Sequence, residues 1–136
     1  TGASIASTIK NSLKMSNLCA SDIDYINAHG TGTILNDLCE SRALNLVDGL
    51  SETPISSTKP ITGHCLGASP VLEAVLCINV INNKRAPHTT NLRKFDSNLQ
   101  LNPIMEKPLS GEFNNVLSTS LGFWGNHASL VFSKVN

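Results

Sequence analysis

Two short apolar runs, each leading into a glycine-containing turn that carries a histidine, constrain this chain most strongly. The first run is residues 23–28, IDYINA, which leads into HGTGT, and the second is residues 55–58, ISST, which leads into KPITGH. Short apolar runs that end at glycine or proline are typical of buried strands. A helix-like stretch follows each turn, so the pattern predicts an α/β fold with helices packed on a layer of strands.

The two ends of the chain carry the clearest periodic patterns. Apolar residues at helical spacing predict a helix over residues 4–15, and these are Ile5, Ile9 and Leu13. Near the other end, VLSTSL and HASLVFSKV flank the turn sequence GFWGN, and the second run alternates apolar with polar residues. This pattern predicts a β-hairpin. Residues 86–105 contain proline and asparagine and are expected to be irregular.

A second helix is expected to follow the first histidine turn. Asn36 is the expected cap, because its side chain can accept a backbone N–H, and Asp37 and Glu40 then lie in the first turn. Gly49 is expected to end this helix. Its expected buried stripe consists of Cys39, Ala43, Leu46 and Val47.

A third helical stretch, residues 62–81, is apolar almost all round and is therefore expected to lie centrally. Pro70 lies too far from Thr62 to be the first residue of that helix. Two alternatives remain open. The helix is kinked at Pro70, or residues 63–69 form a separate turn and Ser69 caps the helix anew. Pro60 is expected to keep the residue before it, Lys59, in an extended conformation.

The composition indicates one soluble domain over residues 1–136, with 40% apolar and 15% charged residues. Ten basic residues balance ten acidic ones, so no electrostatic argument favours nucleic acid or an anionic membrane as a partner. The longest strongly apolar stretch, residues 71–81, is too short to span a bilayer. No signal-peptide pattern opens the sequence, and a cytoplasmic location is expected.

The four cysteines show neither CxxC spacing nor a disulfide framework, and are expected to be free thiols. Metal ligands at workable spacing are also missing, so no metal site is expected. His29 and His64, with Lys59 five residues before the second histidine, are by contrast a plausible active-site set. His88 and His127 belong to no motif and are expected to be structural.

Four motifs in series resemble the β-ketoacyl synthases, the condensing enzymes of fatty-acid and polyketide synthesis. They are NAHGTGT, the pair Asp37 and Glu40, SSTKPITGHCLGAS, and STSLGFWGNHASLVF. The resemblance covers nearly the whole chain and concerns the C-terminal half of the family's thiolase-like fold. It implies a layered α/β half with a mixed, mainly five-stranded sheet, and it implies that the N-terminal half is absent.

The resemblance also implies the chemistry, in which a malonyl thioester loses carbon dioxide and the resulting enolate attacks an acyl-enzyme. His29 and His64 match the two histidines that stabilise the charge on the thioester oxygen. Lys59 matches a lysine that, together with the glutamate matched by Glu40, helps to hold the first histidine. Read without the resemblance, Glu40 is equally a surface carboxylate that favours the helix dipole.

Further roles follow from the same resemblance. Thr31 and Thr33 match threonines that bind the pantetheine arm, although alone they are ordinary turn residues. Phe123 matches an aromatic gate beside the nucleophile, and alone it is a candidate core residue. No cofactor is implied beyond the phosphopantetheine of acyl carrier protein. The implied partners are the N-terminal half, acyl carrier protein and, in the full enzyme, a second copy in a homodimer.

The sequence also departs from the family pattern. The family's nucleophilic cysteine lies in the other half, so this chain alone is expected to be inactive. Trp124 stands where a glycine is usual, and it is strained if that position requires a positive φ. Leu121, His127 and Pro70 are further departures. They leave open a non-catalytic partner of the chain-length-factor type, and more weakly a thiolase-type enzyme that uses coenzyme A.

Overall fold

The structure is a computed structural model of the protein and describes residues 2–135. Thr1 and Asn136 lie outside the described residues. The helices are α1 (Ala3–Met15), α2 (Ile34–Asn45), α3 (Lys59–Thr62) and α4 (Ser69–Asn83). The strands are β1 (Tyr25–Asn27), β2 (Pro54–Ser56), β3 (Arg85–Ala86), β4 (Asn102–Pro103), β5 (Leu109–Ser110), β6 (Asn115–Leu121) and β7 (His127–Ser133).

Five strands form one mixed sheet in the order β4-β2-β1-β6-β7. The neighbours from β4 to β6 are parallel, and β7 is antiparallel to β6. β3 and β5 form a separate antiparallel pair. One hydrophobic core joins α1 and α2 to one face of the large sheet, and a second core joins α4 to the other face. This arrangement confirms the layered α/β fold with a mainly five-stranded mixed sheet.

The periodic patterns at the two ends are confirmed. α1 buries Ile5, Ile9 and Leu13, as their spacing predicts, and contacts α2 and β7. β6 and β7 pair along their whole length, from Asn115 opposite Ser133 to Leu121 opposite His127. The segment expected to be irregular contains some regular structure. Asn102–Pro103 forms the edge strand β4 beside β2, Ala86 belongs to β3, and Ser97–Leu99 is a 3₁₀ turn.

The predicted start of the second helix is wrong by a few residues. α2 begins at Ile34, directly after the extended residue Thr33, and Asn36 lies inside it. The Asn36 side chain donates to Asp37 rather than capping the helix. The helix ends at Asn45, before Gly49. Its buried face also differs, since Glu40, Ser41 and Leu44 are buried whereas Leu46 is 51% exposed; Ala43 and Val47 are buried as predicted.

Lys59 is not extended, contrary to prediction. It is the first residue of α3, and the N–H groups of Ile61 and Thr62 both donate to the Thr58 carbonyl, at 3.0 and 3.1 Å. Pro60 is the second helical residue, where its missing N–H has no intrahelical partner to lose. The helical turn therefore overrides the usual preference of a residue before proline.

The structure decides between the two alternatives for Pro70. Residues 63–68 leave the helix through a separate turn that includes the 3₁₀ segment Leu66–Ala68, and α4 starts at Ser69 with Pro70 second. Ser69 is thus the first helical residue rather than the cap. Its hydroxyl lies 3.3 Å from His64 Nδ1, so it connects the helix start to the second histidine.

The expectation that this helix is central is wrong for the described residues. α4 buries only a narrow face against the sheet, and Val71, Val75 and Ile78 remain exposed on its other side. The stretch Leu66–Asn83 has a mean hydropathy of 1.2 over 18 residues, so by length and composition alone it reaches the size of a membrane span. Length and composition are weak evidence for a membrane span, and this stretch carries the buried carboxylate of Glu73.

Candidate active site

The two histidines meet at one edge of the sheet. His29 follows β1, and His64 follows β2 after α3. Because β1 and β2 are parallel neighbours, their carboxyl ends lie side by side, which is where α/β folds commonly bind ligands. The two imidazole ring centroids are 5.4 Å apart and the rings are nearly perpendicular, at 85°. The histidine pair predicted from the sequence is therefore a pair in space.

A buried carboxylate holds the backbone of the first histidine turn. Glu40 Oε1 accepts the His29 N–H at 2.8 Å and the Thr119 hydroxyl at 2.6 Å, and Glu40 Oε2 accepts the Gly30 N–H at 2.9 Å. Burial raises the pKa of Glu40, and these three donors oppose the rise. Gly30 is required here, since a Cβ would lie 2.5 Å from Cβ of Ser57. Glu40 therefore supports His29 through the main chain.

The expected cooperation of Lys59 with Glu40 is not found. Lys59 Nζ instead forms a buried ion pair with Glu73 of α4, and both side chains are at least nine-tenths buried. Burial raises the pKa of Glu73, and the hydrogen bond and charge of Lys59 oppose that rise. Sequence reasoning missed Glu73 as a site residue. Its signal was that Glu73 is the only charged residue between Leu66 and Asn83.

His29 is held in its neutral form. Burial and, second, the nearby positive charge of Lys59 lower its pKa to about 4. Its Nδ1 is enclosed and has no hydrogen-bond partner among the described residues. A proton on Nδ1 would be an unpaired buried donor, so the neutral ring is favoured with its proton on Nε2. His29 is thus a neutral N–H donor.

His64 complements this donor. The Ser69 hydroxyl, 3.3 Å away, can donate to an unprotonated Nδ1, which leaves the His64 proton on Nε2. Two imidazole N–H donors at one site can bind an oxygen atom that gains negative charge during a reaction. The arrangement is therefore suited to stabilising an oxyanion.

Two cavities adjoin the histidines. A cavity of about 420 Å³, here called the imidazole cavity, has both histidines and His127 in its wall, together with apolar residues. Those apolar residues include Leu66, Pro70, Leu121, Phe123 and Ala128. A second cavity of about 470 Å³, here called the loop cavity, lies beside His64, Lys59 and Thr31 and is closed by residues 89–103.

The other predicted site residues lie around these cavities. The Thr31 and Thr33 hydroxyls are 3.1 Å apart and exposed, and Thr31 lines the loop cavity. Phe123 is 83% exposed and lines the imidazole cavity. Trp124 follows it with a φ of 62° and is 99% exposed. The strain predicted for a tryptophan at this position is present in the structure.

His127 was expected to be structural, and the structure places it in the wall of the imidazole cavity instead. No short-range pattern signalled this, because its position depends on the β6–β7 hairpin bringing it beside Leu121. Across residues 2–135, no three His, Cys, Asp or Glu side chains are grouped so as to bind a metal ion. All four cysteines in this range are free thiols.

A mixed sheet with a histidine pair at its carboxyl edge and helices on both faces is the arrangement of thiolase-like condensing domains. Residues 1–93 match the family described as beta-ketoacyl synthase, C-terminal domain. The chain therefore belongs to the β-ketoacyl synthase family.

Individual relatives agree with this assignment. The 3-oxoacyl-[acyl-carrier-protein] synthase 2 of Coxiella burnetii is 38% identical over 129 residues, covering 93% of this chain and 31% of that protein. The mitochondrial 3-oxoacyl-[acyl-carrier-protein] synthase of Arabidopsis thaliana is also 38% identical, covering 98% of this chain and 30% of that protein. The chain thus spans about a third of the length of these relatives.

Solved structures give the same fold. A β-ketoacyl synthase from Burkholderia phymatum superposes with a TM-score of 0.94 at 33% identity, covering all of this chain and 33% of that one. A type II polyketide ketosynthase in complex with its acyl carrier protein, bound to a hexaketide, also has a TM-score of 0.94, at 32% identity. The match covers 99% of this chain and 34% of that ketosynthase chain.

Proposed function

We propose that this chain acts as the C-terminal half of a β-ketoacyl-acyl-carrier-protein synthase and supplies the histidine pair of the active site. The observation that carries the proposal is the pair of imidazoles, 5.4 Å apart between ring centroids, in the wall of one cavity. Membership of the family supports a condensing reaction in fatty-acid or polyketide synthesis.

In the proposed reaction, a cysteine of the N-terminal half carries an acyl group as a thioester. The carbon–carbon bond to the malonyl carboxylate breaks and releases carbon dioxide, and the electron pair moves onto the thioester oxygen as an enolate. His29 and His64 donate hydrogen bonds to that oxygen as its negative charge develops. The enolate carbon then attacks the acyl-enzyme carbonyl, a carbon–carbon bond forms, and the cysteine thiolate leaves.

The remaining site residues have proposed roles around this step. Lys59 stabilises the neutral form of His29 by its charge, and Glu40 fixes the backbone that carries this histidine. Thr31 and Thr33 bind the pantetheine arm of the thioester, and Phe123 gates the approach to the cysteine. The substrates are carried on the phosphopantetheine of acyl carrier protein, and no other cofactor takes part.

The proposed partners follow from the same reaction. The N-terminal half covers the exposed apolar side of α4, acyl carrier protein delivers both thioesters, and the full enzyme is a homodimer. The proposed location is the cytoplasm, and the balance of ten basic and ten acidic residues gives no electrostatic attraction to nucleic acid or an anionic membrane.

The test pairs this chain with an N-terminal half and measures carbon dioxide release from malonyl-acyl carrier protein. His29→Ala and His64→Ala are each expected to lower the rate about 100-fold or more, the usual effect of losing one oxyanion donor. His88→Ala is the matched control, because His88 lines neither cavity, and it should retain the rate. Undiminished release by both site variants would overturn the proposal.

One observation favours a second candidate, a non-catalytic partner of the chain-length-factor type. Trp124 places a strained and fully exposed aromatic ring next to Phe123. One solved structure that superposes on this chain, with a TM-score of 0.93 at 32% identity, is the ishigamide ketosynthase/chain length factor. A partner role predicts that the histidine variants keep full product formation, whereas Trp124→Gly changes product length.

A further inference from the structure

The imidazole cavity contains a third imidazole with no role in the proposed reaction. His127 is the first residue of β7 and pairs with Leu121, the last residue of β6. This register places it in the same cavity wall as His29 and His64. Its ring is close enough to His29 for the two to interact electrostatically. Three imidazoles therefore border one cavity.

The state of the His127 ring follows from its surroundings. Its Nδ1 is buried and has no hydrogen-bond partner among the described residues. A buried N–H without an acceptor is less favourable than a buried lone pair, so the tautomer with its proton on Nε2 is favoured. His127 is then an N–H donor of the same kind as His29.

The rest of the cavity wall is mainly apolar, with Leu66, Pro70, Phe123 and Ala128, and its other polar side chains are Ser69, Ser120 and Asn126. The Ser69 hydroxyl lies 3.3 Å from His64 Nδ1, and the Asn126 amide donates to the Phe123 carbonyl. The two carboxylates nearest the histidines are already engaged, Glu73 with Lys59 and Glu40 with the N–H groups of His29 and Gly30. A donor in such a wall is suited to an oxygen that a ligand brings with it.

We infer that His127 is a substrate-binding residue that donates a hydrogen bond to a substrate oxygen other than the thioester oxygen. This inference rests on the proposed function, in which His29 and His64 already share the thioester oxygen. Two substrate oxygens have the required chemistry: the malonyl carboxylate, and an oxygen substituent on the acyl chain. Both are hydrogen-bond acceptors close to the reacting carbon, and kinetics with malonyl, 3-oxoacyl and saturated substrates distinguish between them.

The variants are chosen from the geometry of the ring. His127→Leu removes the donor and keeps a similar volume. His127→Gln places an amide N–H near the position of Nε2, whereas His127→Asn reaches only to the position of Nδ1. His88→Leu is the matched control, because His88 lies outside both cavities. Circular dichroism spectra verify that each variant is folded.

The kinetic test uses this chain paired with an N-terminal half. If the malonyl carboxylate is the acceptor, His127→Leu raises KM for decarboxylation of malonyl-acyl carrier protein about tenfold or more. If an acyl-chain oxygen is the acceptor, KM rises similarly for 3-oxoacyl primers but not for saturated primers. In either case His127→Gln restores KM to within about threefold and His127→Asn does not.

Two results overturn the inference. One is an unchanged KM of His127→Leu for malonyl, 3-oxoacyl and saturated substrates alike. The other is a KM of His127→Gln that is no lower than the KM of His127→Asn. Failure of the proposed function gives a different result, because carbon dioxide release would then be unchanged in the His29→Ala and His64→Ala variants. If those variants lose activity while His127→Leu keeps its KM, only the inference on His127 fails.

A direct measurement accompanies the kinetics. On addition of malonyl-pantetheine or 3-oxoacyl-pantetheine, NMR of the histidine ring nitrogens should show the Nε2 signal of His127 moving with one of the two ligands. The His88 signal should remain in place. A His127 signal that moves with neither ligand would contradict the inference.

Discussion

Trp124 combines two features that folded proteins ordinarily avoid. Its φ of 62° lies in the left-handed region, which is about 1–2 kcal/mol unfavourable for a residue with a Cβ. Its indole is 99% exposed and gains nothing from burial in this chain. Backbone strain of this kind is concentrated at functional sites, and here it adjoins Phe123 at the imidazole cavity.

Replacing this residue should therefore stabilise the chain. Trp124→Gly is expected to raise the free energy of unfolding by about 0.5–1 kcal/mol, because glycine adopts a positive φ freely but loses more entropy on folding. Trp124→Ala is the matched control, since it removes the exposed ring but keeps the Cβ and hence the strain. Urea denaturation followed by circular dichroism measures both. Equal stabilities of the Gly and Ala variants would contradict the explanation by backbone strain.

At the scale of elements, the site depends on two carboxylates that reach it from different helices. Glu40 of α2 holds the turn after β1, and Glu73 of α4 pairs with Lys59 of α3. The two helices lie on opposite faces of the sheet. The sheet edge that carries His29 and His64 is thus held by one carboxylate from each face of the sheet.

Because Lys59 and Glu73 form a buried ion pair, the loss of either side chain is expected to destabilise the fold strongly while the other remains. Lys59→Met alone and Glu73→Leu alone should each lower the free energy of unfolding by about 3–5 kcal/mol, since each leaves a buried charge unpaired. The double variant should be less destabilised than either single variant, because apolar side chains of similar volume replace both charges. A double variant whose loss equals the sum of the two single losses would show that the groups do not interact.

At the scale of the whole molecule, the side of α4 that faces away from the sheet is not covered by any other part of the described chain. Val71, Val75 and Ile78 form a stripe along the exposed side of α4, at 68%, 53% and 46% exposure. An exposed apolar stripe of this size is typical of an interaction surface. It agrees with the small share, about a third, of its relatives' length that this chain spans.

The chain alone is therefore expected to self-associate through this stripe. Sedimentation velocity should show a weight-average mass that rises with protein concentration. Val75→Ser combined with Ile78→Ser should reduce this association and change the free energy of unfolding by only about 0.5 kcal/mol per site, because both residues are exposed. Met15→Ser, at a still more exposed apolar site at the end of α1, serves as the control. A monomeric profile at all concentrations would contradict the prediction.

Local patterns in the sequence were sufficient for much of this protein. The spacing of Ile5, Ile9 and Leu13 predicted α1, and alternation predicted the β6–β7 hairpin. These elements depend on contacts between near neighbours in the chain, which the sequence displays directly. The motifs around His29 and His64 indicated the family and the pair itself.

Only the tertiary structure decided which residues meet across the fold. Lys59 pairs with Glu73 rather than acting with Glu40, and His127 joins the cavity of His29 and His64. These contacts depend on how strands align and on which side of the sheet each helix packs, and no local period encodes either. The same reason explains α4, because an apolar sequence determines that a helix can be buried, whereas the surrounding elements determine which of its sides is covered.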